Sequence, residues 1–350
     1  MTMLKSLKIE NFRCFPYFEL NKLGRINLLV GKNNSGKTTC LEAIQLLYCQ
    51  DNLKEFWEVI EERKEYLPDT KKVQLDVRNL FFGHQLNIKF SISGKLSINS
   101  SNDKRVTGHL LLGEYPFNQT QLKIIIEWSN QDNKGKDIEL PLSENGGLEI
   151  KSSQVSSKIR KNSRELTQFV GSSLFNNHNK IKHLFETIVL TPNENIVMKA
   201  LQSIDPNISR IAPGRSGSQS SFYVRFIGDD QRFPLGNMGD GISHILGLFL
   251  AIVNAKNGIL LVDEIDTGLH FSVMSDMWKL LYETAKQLNV QVFATTHSRD
   301  CWESLAEIAE FEKDLEDGIM IHRIEKGKSN SIVIGKDEMA IAVERGIEVR

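Results

Sequence analysis

Residues 31–38 read Gly-Lys-Asn-Asn-Ser-Gly-Lys-Thr. A glycine, four residues and then Gly-Lys-Thr is the spacing of a turn that cradles phosphate. Glycines let the backbone fold back tightly, so that successive N–H groups point at one anion. Lys37 would reach the outer phosphates, and the Thr38 hydroxyl would ligate Mg²⁺. Far along the chain, the apolar run Ile259–Val262 ends in Asp263 and Glu264. The first acid can hold Mg²⁺ through water, and the second can polarise an attacking water. Another apolar run, residues 290–298, reaches His297, which can hydrogen-bond a terminal phosphate. Residues 236–241, Gly-Asn-Met-Gly-Asp-Gly, form a further glycine-rich turn before an apolar helix, and so a second candidate anion site.

These groups need elements to hold them. Ile26, Leu28, Leu29 and Val30 before the first turn read as a short buried strand. Residues 39–47, with Leu41, Ile44 and Leu47 on one stripe, read as a helix. Strand, turn and helix together aim the positive end of a helix dipole at the loop. Residues 242–253 and about 271–288 read as two more helices around the acidic strand end. The pattern is α/β, with the polar ends of parallel strands converging where such sheets bind ligands.

Between the two halves the pattern changes. Residues 51–67 read as an amphipathic helix ended by Pro68. Residues 73–142 read as antiparallel strands and hairpins, for example 86–92 and 122–128. Residues 170–209 read as mostly helical, and 222–227 as a strand. Residues 151–164 carry Lys151, Lys158, Arg160, Lys161 and Arg164 with no acid. That segment is either a solvated face or a contact for a phosphate backbone. After His297 the chain reads as a helix at about 304–315, a hairpin over 318–334 and a tail helix.

Composition narrows the class. The chain has 350 residues, 40% hydrophobic and 25% charged, which suits a globular protein with a sizeable core. A net charge of −1 argues neither for nor against a nucleic-acid partner. Cys14, Cys40, Cys49 and Cys301 form no C-x-x-C pair, so thiols in a reducing compartment are expected, not a metal site. Residues 1–11 do not read as a signal peptide. The longest apolar run, residues 245–253, falls short of the ~20 residues that span a bilayer. A cytoplasmic protein with no membrane partner is expected.

In this order the pieces resemble the ABC-type ATPase head of the SMC, RecF and OLD-like group, in particular the stand-alone OLD-like AAA family ATP-binding proteins that lack a Toprim domain. Ile9, Asn11, Phe12 and Arg13 match that group's I-x-N-F-R opening. Residues 31–38 match Walker A, Met238 to Gly241 the signature loop, Asp263 and Glu264 Walker B, Asp266 the D-loop and His297 the switch histidine. The matches cover about a third of the chain, in residues 1–50 and 233–300. The resemblance implies a P-loop NTPase with a mixed sheet and an inserted β-rich and helical region. It divides a single head, 1–350, into a nucleotide-binding lobe (1–50), an insert (51–230) and a C-terminal lobe (231–350).

The resemblance also implies ATP and Mg²⁺. Gly31, Asn33, Asn34, Ser35, Gly36, Lys37, Thr38 and Thr39 would surround the phosphates, with Arg13 beside the nucleotide. Thr38 and Asp263 would serve Mg²⁺, Glu264 would be the general base, and His297 would contact the γ-phosphate. Two copies would dimerise around ATP. Met238, Gly239, Asp240, Gly241 and Asp266 of one would complete the site of the other. The implied function is an ATP-hydrolysing switch for DNA or for an effector in trans, such as a nuclease, in phage defence or DNA maintenance. There are departures. Met238 stands where the signature serine is usual. No Q-loop glutamine is identifiable, Gln74 and Gln85 being the candidates. The fifty or so residues after His297 are too few for a Toprim domain, so no nuclease in cis is expected.

The alternative from Met238 is a non-hydrolysing, ATP-dependent scaffold. A small-molecule kinase would leave the signature loop, D-loop and His297 without a role. A transporter subunit is disfavoured by the β-rich stretch at 73–142.

Overall fold

The computed structural model describes residues 3–49, 53–68, 73–96, 103–115, 119–130, 133–143, 146–149, 167–171, 174, 177–216, 219–311 and 318–349. In chain order, the first half carries β1 Ser6–Phe12, β2 Phe15–Leu20, β3 Ile26–Val30, α1 Lys37–Cys49, α2 Leu53–Glu61, β4 Gln74–Asp76, β5 Phe90–Lys95, β6 Asp103–Tyr115, β7 Gln119–Asn130, β8 Asn133–Pro141, β9 Gly147–Glu149 and β10 Thr167–Val170. The second half carries α3 His178–Glu186, α4 Pro192–Ile204, β11 Ile208–Ser216, β12 Gln219–Phe226, β13 Phe233–Pro234, α5 Asp240–Asn254, β14 Ile259–Val262, α6 Met274–Leu288, β15 Gln291–Thr295, α7 Arg299–Phe311, β16 Ile319–Arg323, β17 Ile332–Ile334 and α8 Lys336–Glu344.

One sheet has the order β10-β14-β15-β3-β16-β17 and is parallel except for β17. Strands β3, β14 and β15 are buried at every residue, so they read as apolar runs and not as alternation. Their side chains still alternate between faces. Leu28, Leu260, Val262, Val292 and Ala294 join the core under α3 to α8. Leu29, Ile259, Leu261 and Phe293 join a second core on the other face, with α1 and the antiparallel sheet β2-β1-β5-β6-β7-β8. Helix α1 therefore lies between two sheets. Of its residues only Thr38 is not buried, as expected of a helix with no solvent face.

Several elements depart from the sequence reading. The helix predicted over 51–67 ends at Glu61, and Lys64 turns left-handed with φ 54°. Residues 86–89 are not strand; β5 begins at Phe90. The expected short hairpins include one long ribbon, β6 with β7, in register from Lys104↔Asn130 to Tyr115↔Gln119. Strand β10 was not foreseen. It comes from the stretch read as an insert, yet it forms the edge of the parallel sheet against β14. The basic segment 151–164 lies outside the described residues. Among the described residues, no helix is long and apolar enough to cross a membrane.

Candidate functional site

Strands β14, β15 and β3 deliver their C-terminal ends to one cleft of about 820 Å³. Its wall includes Asn33, Asn34, Ser35, Gly36, Lys37, Thr38 and Thr39 from the loop and α1. Asp263 and Glu264 follow β14, and His297 follows β15. Motifs more than 200 residues apart in sequence are thus one surface, because parallel pairing aligns the strand ends.

Two glycines shape the loop. Gly31 and Gly36 have φ of +145° and +106°. A Cβ would stand 2.3 Å from the Ile324 carbonyl oxygen at Gly31, and 2.2 Å from the Phe15 ring at Gly36. The loop is pressed between the end of β16 and the start of β2, and only glycine fits at both corners. Lys37 Nζ donates to the carbonyl oxygens of Gly31 (2.9 Å) and Lys32 (3.0 Å). Burial lowers the Lys37 pKa, and the charges of Asp263 and Glu264 oppose that shift.

Thr38 Oγ1 donates to Asp263, at 3.0 Å from Oδ2 and 3.2 Å from Oδ1. A hydroxyl and a carboxylate this close form the hard-oxygen set that Mg²⁺ takes, so Thr38 and Asp263 fit that ion. Asp263 is fixed from behind. Thr295 Oγ1 donates to Asp263 Oδ1 at 2.6 Å and accepts from the Glu264 N–H at 2.8 Å. Thr295 is fully buried at the end of β15, and Glu264 holds a left-handed φ of 55°. One hydroxyl thus orients both acids. The next residue repeats the device, as Thr296 Oγ1 donates to Asp266 Oδ1 at 2.6 Å. The His297 pKa is lowered, first by burial and then by the Lys37 charge, against the pull of the nearby acids.

Other predicted residues stand elsewhere. Arg13 is not on the cleft wall. It is buried one layer back, with Nε 2.7 Å from Glu42 and Nη1 2.9 Å from Glu65. The guanidinium that lines the cleft is that of Arg63, which pairs with Glu42 and also donates to Thr39 Oγ1 at 3.3 Å. Met238, Gly239, Asp240 and Gly241 do not line the cleft of their own chain, and neither does Asp266. Gly239, φ 90°, starts α5, and a Cβ on Gly241 would stand 2.6 Å from the Gly268 carbonyl oxygen. The signature turn therefore packs on the turn that follows Asp266. Gln74 lies on β4 and Gln85 after a 3₁₀ turn, and neither lines the cleft. The Asp263 N–H donates to the Val170 carbonyl at 2.8 Å, so the chain leaving β10 flanks Asp263 instead.

Sequence reasoning missed Thr295, Arg63, Cys14 and Glu65, which belong to this site. The run Thr295-Thr296 before His297 was a readable signal, since hydroxyls at the end of a buried strand need acceptors. Nothing in the pattern around Arg63 marked it, because its partner Glu42 lies in α1.

Comparison with known proteins shows the family and the fold. A family profile described as AAA ATPase domain matches residues 3–146 and 116–301. A Helicobacter pylori protein named ATP/GTP phosphatase is 27% identical over 353 aligned positions, spanning 89% of this chain and 90% of its own length. A Clostridium acetobutylicum DNA replication and repair protein RecF is 27% identical over 140 positions, 39% of this chain and 38% of its own. Among solved structures, an SMC head bound to the C-terminal winged-helix domain of ScpA superposes with a TM-score of 0.51 at 12% identity, covering 97% of this chain and 99% of that one. The fold is that of an SMC-type P-loop ATPase head. The chain belongs to the AAA ATPase domain family.

Proposed function

We propose that this chain is an ATP-hydrolysing head that closes on a second copy of itself when ATP is bound, and that this closure acts as a switch for a partner effector or DNA. The observation that carries the reading is the linked set Thr38–Asp263–Thr295–Glu264, which joins the phosphate loop to an acid poised at the cleft. Backbone N–H groups of residues 33–38, with Lys37, hold the phosphates. Thr38 and Asp263 hold Mg²⁺, which when bound supplies charge neutralisation on the phosphate oxygens. Glu264 takes the proton of the attacking water, oriented through its own N–H by Thr295. His297, whose pKa is lowered by burial and by Lys37, donates or accepts one hydrogen bond at the terminal phosphate. The name of the Helicobacter pylori relative fits hydrolysis.

Closure on a second copy is supported by residues 238–241, which do not line their own cleft and whose helix N-terminus has no side-chain cap. We read residues 51–230 as an insert in this one head that also lends β10 to its sheet. A protein bound to a head in trans has a counterpart in the SMC head bound to ScpA.

The test is phosphate release at steady state together with solution mass. The wild type hydrolyses ATP. Glu264→Gln binds ATP, releases no phosphate and doubles in mass with ATP. A wild type that releases no phosphate with or without DNA would remove hydrolysis from the reading. The second reading, an ATP-gated scaffold without turnover, is favoured by Met238 in the signature turn. It is upheld if ATP doubles the mass while no phosphate appears.

A further inference from the structure

The three-stranded sheet β11-β12-β13 packs on α3 and α4 and runs straight into the turn that starts α5. On one face Ile208, Ile211, Phe222 and Val224 are core. On the other face the register sets like charges side by side. Arg210 is directly opposite Arg225 across β11 and β12. Val224 is opposite Phe233 across β12 and β13, and Arg232 immediately precedes β13, next along the chain on the Arg225 side. Arg210 on β11, Arg225 on β12 and Arg232 just before β13 form a row, all of them exposed. With strands about 4.8 Å apart, the row is about 10 Å long.

Like charges directly opposite each other destabilise a sheet. Among the described residues, none of the three has a carboxylate partner. The nearest acids in sequence are Asp205 before β11, which accepts from the Asn207 N–H at 2.9 Å, and Asp229 and Asp230 after β12, where Asp229 accepts from the Gln231 N–H at 2.8 Å. An aromatic ring adjoins the row. The Tyr223 hydroxyl donates to the Arg215 carbonyl at 2.9 Å, and its ring lies so close over Gly214 that a Cβ there would be 2.7 Å from it. Arg232 stacks over that ring at 4.8 Å, which fixes one end of the row.

We propose that Arg210, Arg225 and Arg232, with Tyr223, bind the phosphate backbone of a nucleic acid. A nucleic-acid strand carries one charge per nucleotide, so a row of this length can meet consecutive phosphates of one strand. Guanidinium forks match phosphate oxygens, and Arg232 stacked on Tyr223 is held ready for one of them. Among the described residues, no carboxylate pairs with the row to relieve its repulsion. This deepens the reading of the chain as an ATP-driven switch by naming its partner class and the surface. It rests on that reading only for coupling, since β13 leads directly into the 3₁₀ turn Leu235–Met238 and then Gly239.

The test uses the full chain without nucleotide. A fluorescein-labelled single strand and its duplex are titrated by anisotropy across a range of salt. Wild type binds with an affinity that falls steeply as salt rises. Arg210→Ala/Arg225→Ala/Arg232→Ala weakens binding at low salt by roughly tenfold or more, and lowers the log–log salt slope by about 2 to 3. The triple Arg→Lys variant recovers most of the slope. A triple alanine variant with wild-type affinity and slope overturns the proposal. So does displacement of the oligonucleotide by polyglutamate at equal charge, which would assign the row to an acidic polypeptide. Should the triple variant fail to fold, Arg225→Glu alone decides in the same assay. Phosphate release is measured separately. Lost hydrolysis with retained oligonucleotide binding strikes the ATPase reading alone; the reverse strikes the arginine row alone.

Discussion

Thr295→Val tests whether one buried hydroxyl organises both acids of the cleft. Valine keeps the volume and branching of threonine, so packing at the fully buried end of β15 is preserved. Two bonds are lost: the donation to Asp263 Oδ1 at 2.6 Å and the acceptance from the Glu264 N–H at 2.8 Å. A hydrogen bond to a charged carboxylate is worth about 1.5–3 kcal/mol, and an N–H left without its acceptor costs about 1–3 kcal/mol. Asp263 and Glu264 are partly solvated, so water recovers some of this. A net loss of about 2 kcal/mol follows from the lower ends of those ranges, less what water recovers. At about 2.1 cal/mol/K of unfolding entropy per residue over 350 residues, the melting temperature falls by about 3 °C.

The same change has a second readout that a purely structural role would not move. Asp263 without its donor turns more freely and meets Thr38 less often, so Mg²⁺-dependent nucleotide affinity falls by about tenfold, or about 1.4 kcal/mol. Thr295→Ser restores the hydroxyl and recovers most of both effects. Scanning calorimetry and titration with fluorescent ATP, with and without Mg²⁺, give the two numbers. If Thr295→Val melts within about a degree of wild type and binds Mg²⁺–ATP equally well, Thr295 does not position these acids, and the linked-set argument fails.

Four further outcomes follow from particular contacts. Gly36→Ala forces a side chain into φ +106° and against the Phe15 ring; about 2–4 kcal/mol of stability should be lost together with nucleotide binding, read by urea unfolding and ATP titration. Glu42→Gln leaves the buried Arg13 without its closest charge partner and should cost about 3–5 kcal/mol, whereas Arg63→Met, at the more exposed end of the same cluster, should cost less. His322 is buried with its pKa pushed down to about 4. The unfolded chain therefore binds the extra proton below pH 6.5, so its stability contribution is full above that value and is lost as pH falls toward 4. Between pH 7 and 5 the loss is about 2 kcal/mol, and the fall in urea midpoint should shrink in His322→Leu. Cys14 is exposed on the cleft wall while Cys40, Cys49 and Cys301 are buried, so ATP should slow labelling of this one fast thiol, and equal rates with and without ATP would count against nucleotide in this cleft.

What was legible in the sequence was what is local. Residues 26–47 carry strand, turn and helix in one continuous stretch, and each signal sits within a few positions of the next. The structure reproduces them as β3, the loop and α1. The acids after β14 and the histidine after β15 were readable for the same reason. What was not legible depends on pairing across long separations. Strand β10 is four residues long, and only its place against β14 makes it the edge of the parallel sheet. Arg13 belongs to a matching N-terminal stretch, which placed it beside the nucleotide. Its burial against Glu42 and Glu65 follows from where α1 and the residues after α2 pack, which no pattern in residues 9–13 encodes. Arg63 stands at the cleft for that same reason.

The turn starting α5 and the turn after β14 constrain each other through backbone alone. Gly241 and Gly268 approach so closely that a Cβ on Gly241 would fall 2.6 Å from the Gly268 carbonyl oxygen, and one on Gly268 would fall 3.4 Å from the Asp240 Cβ. Gly268 holds φ +73°, a conformation a side chain would strain. Two residues earlier, Asp266 accepts from Thr296, the neighbour of the Thr295 that grips Asp263 and Glu264. A displacement of residues 239–241 cannot be absorbed at Gly268 by side-chain motion, because backbone meets backbone. It must move the turn as a body or break the Asp266–Thr296 bond. The signature turn, which does not line the cleft, is therefore tied by short contacts to the buried hydroxyl pair Thr295–Thr296 behind the cleft acids. That rigidity explains why glycine is required at 241 for packing within the chain, whatever residue 238 contributes beyond it.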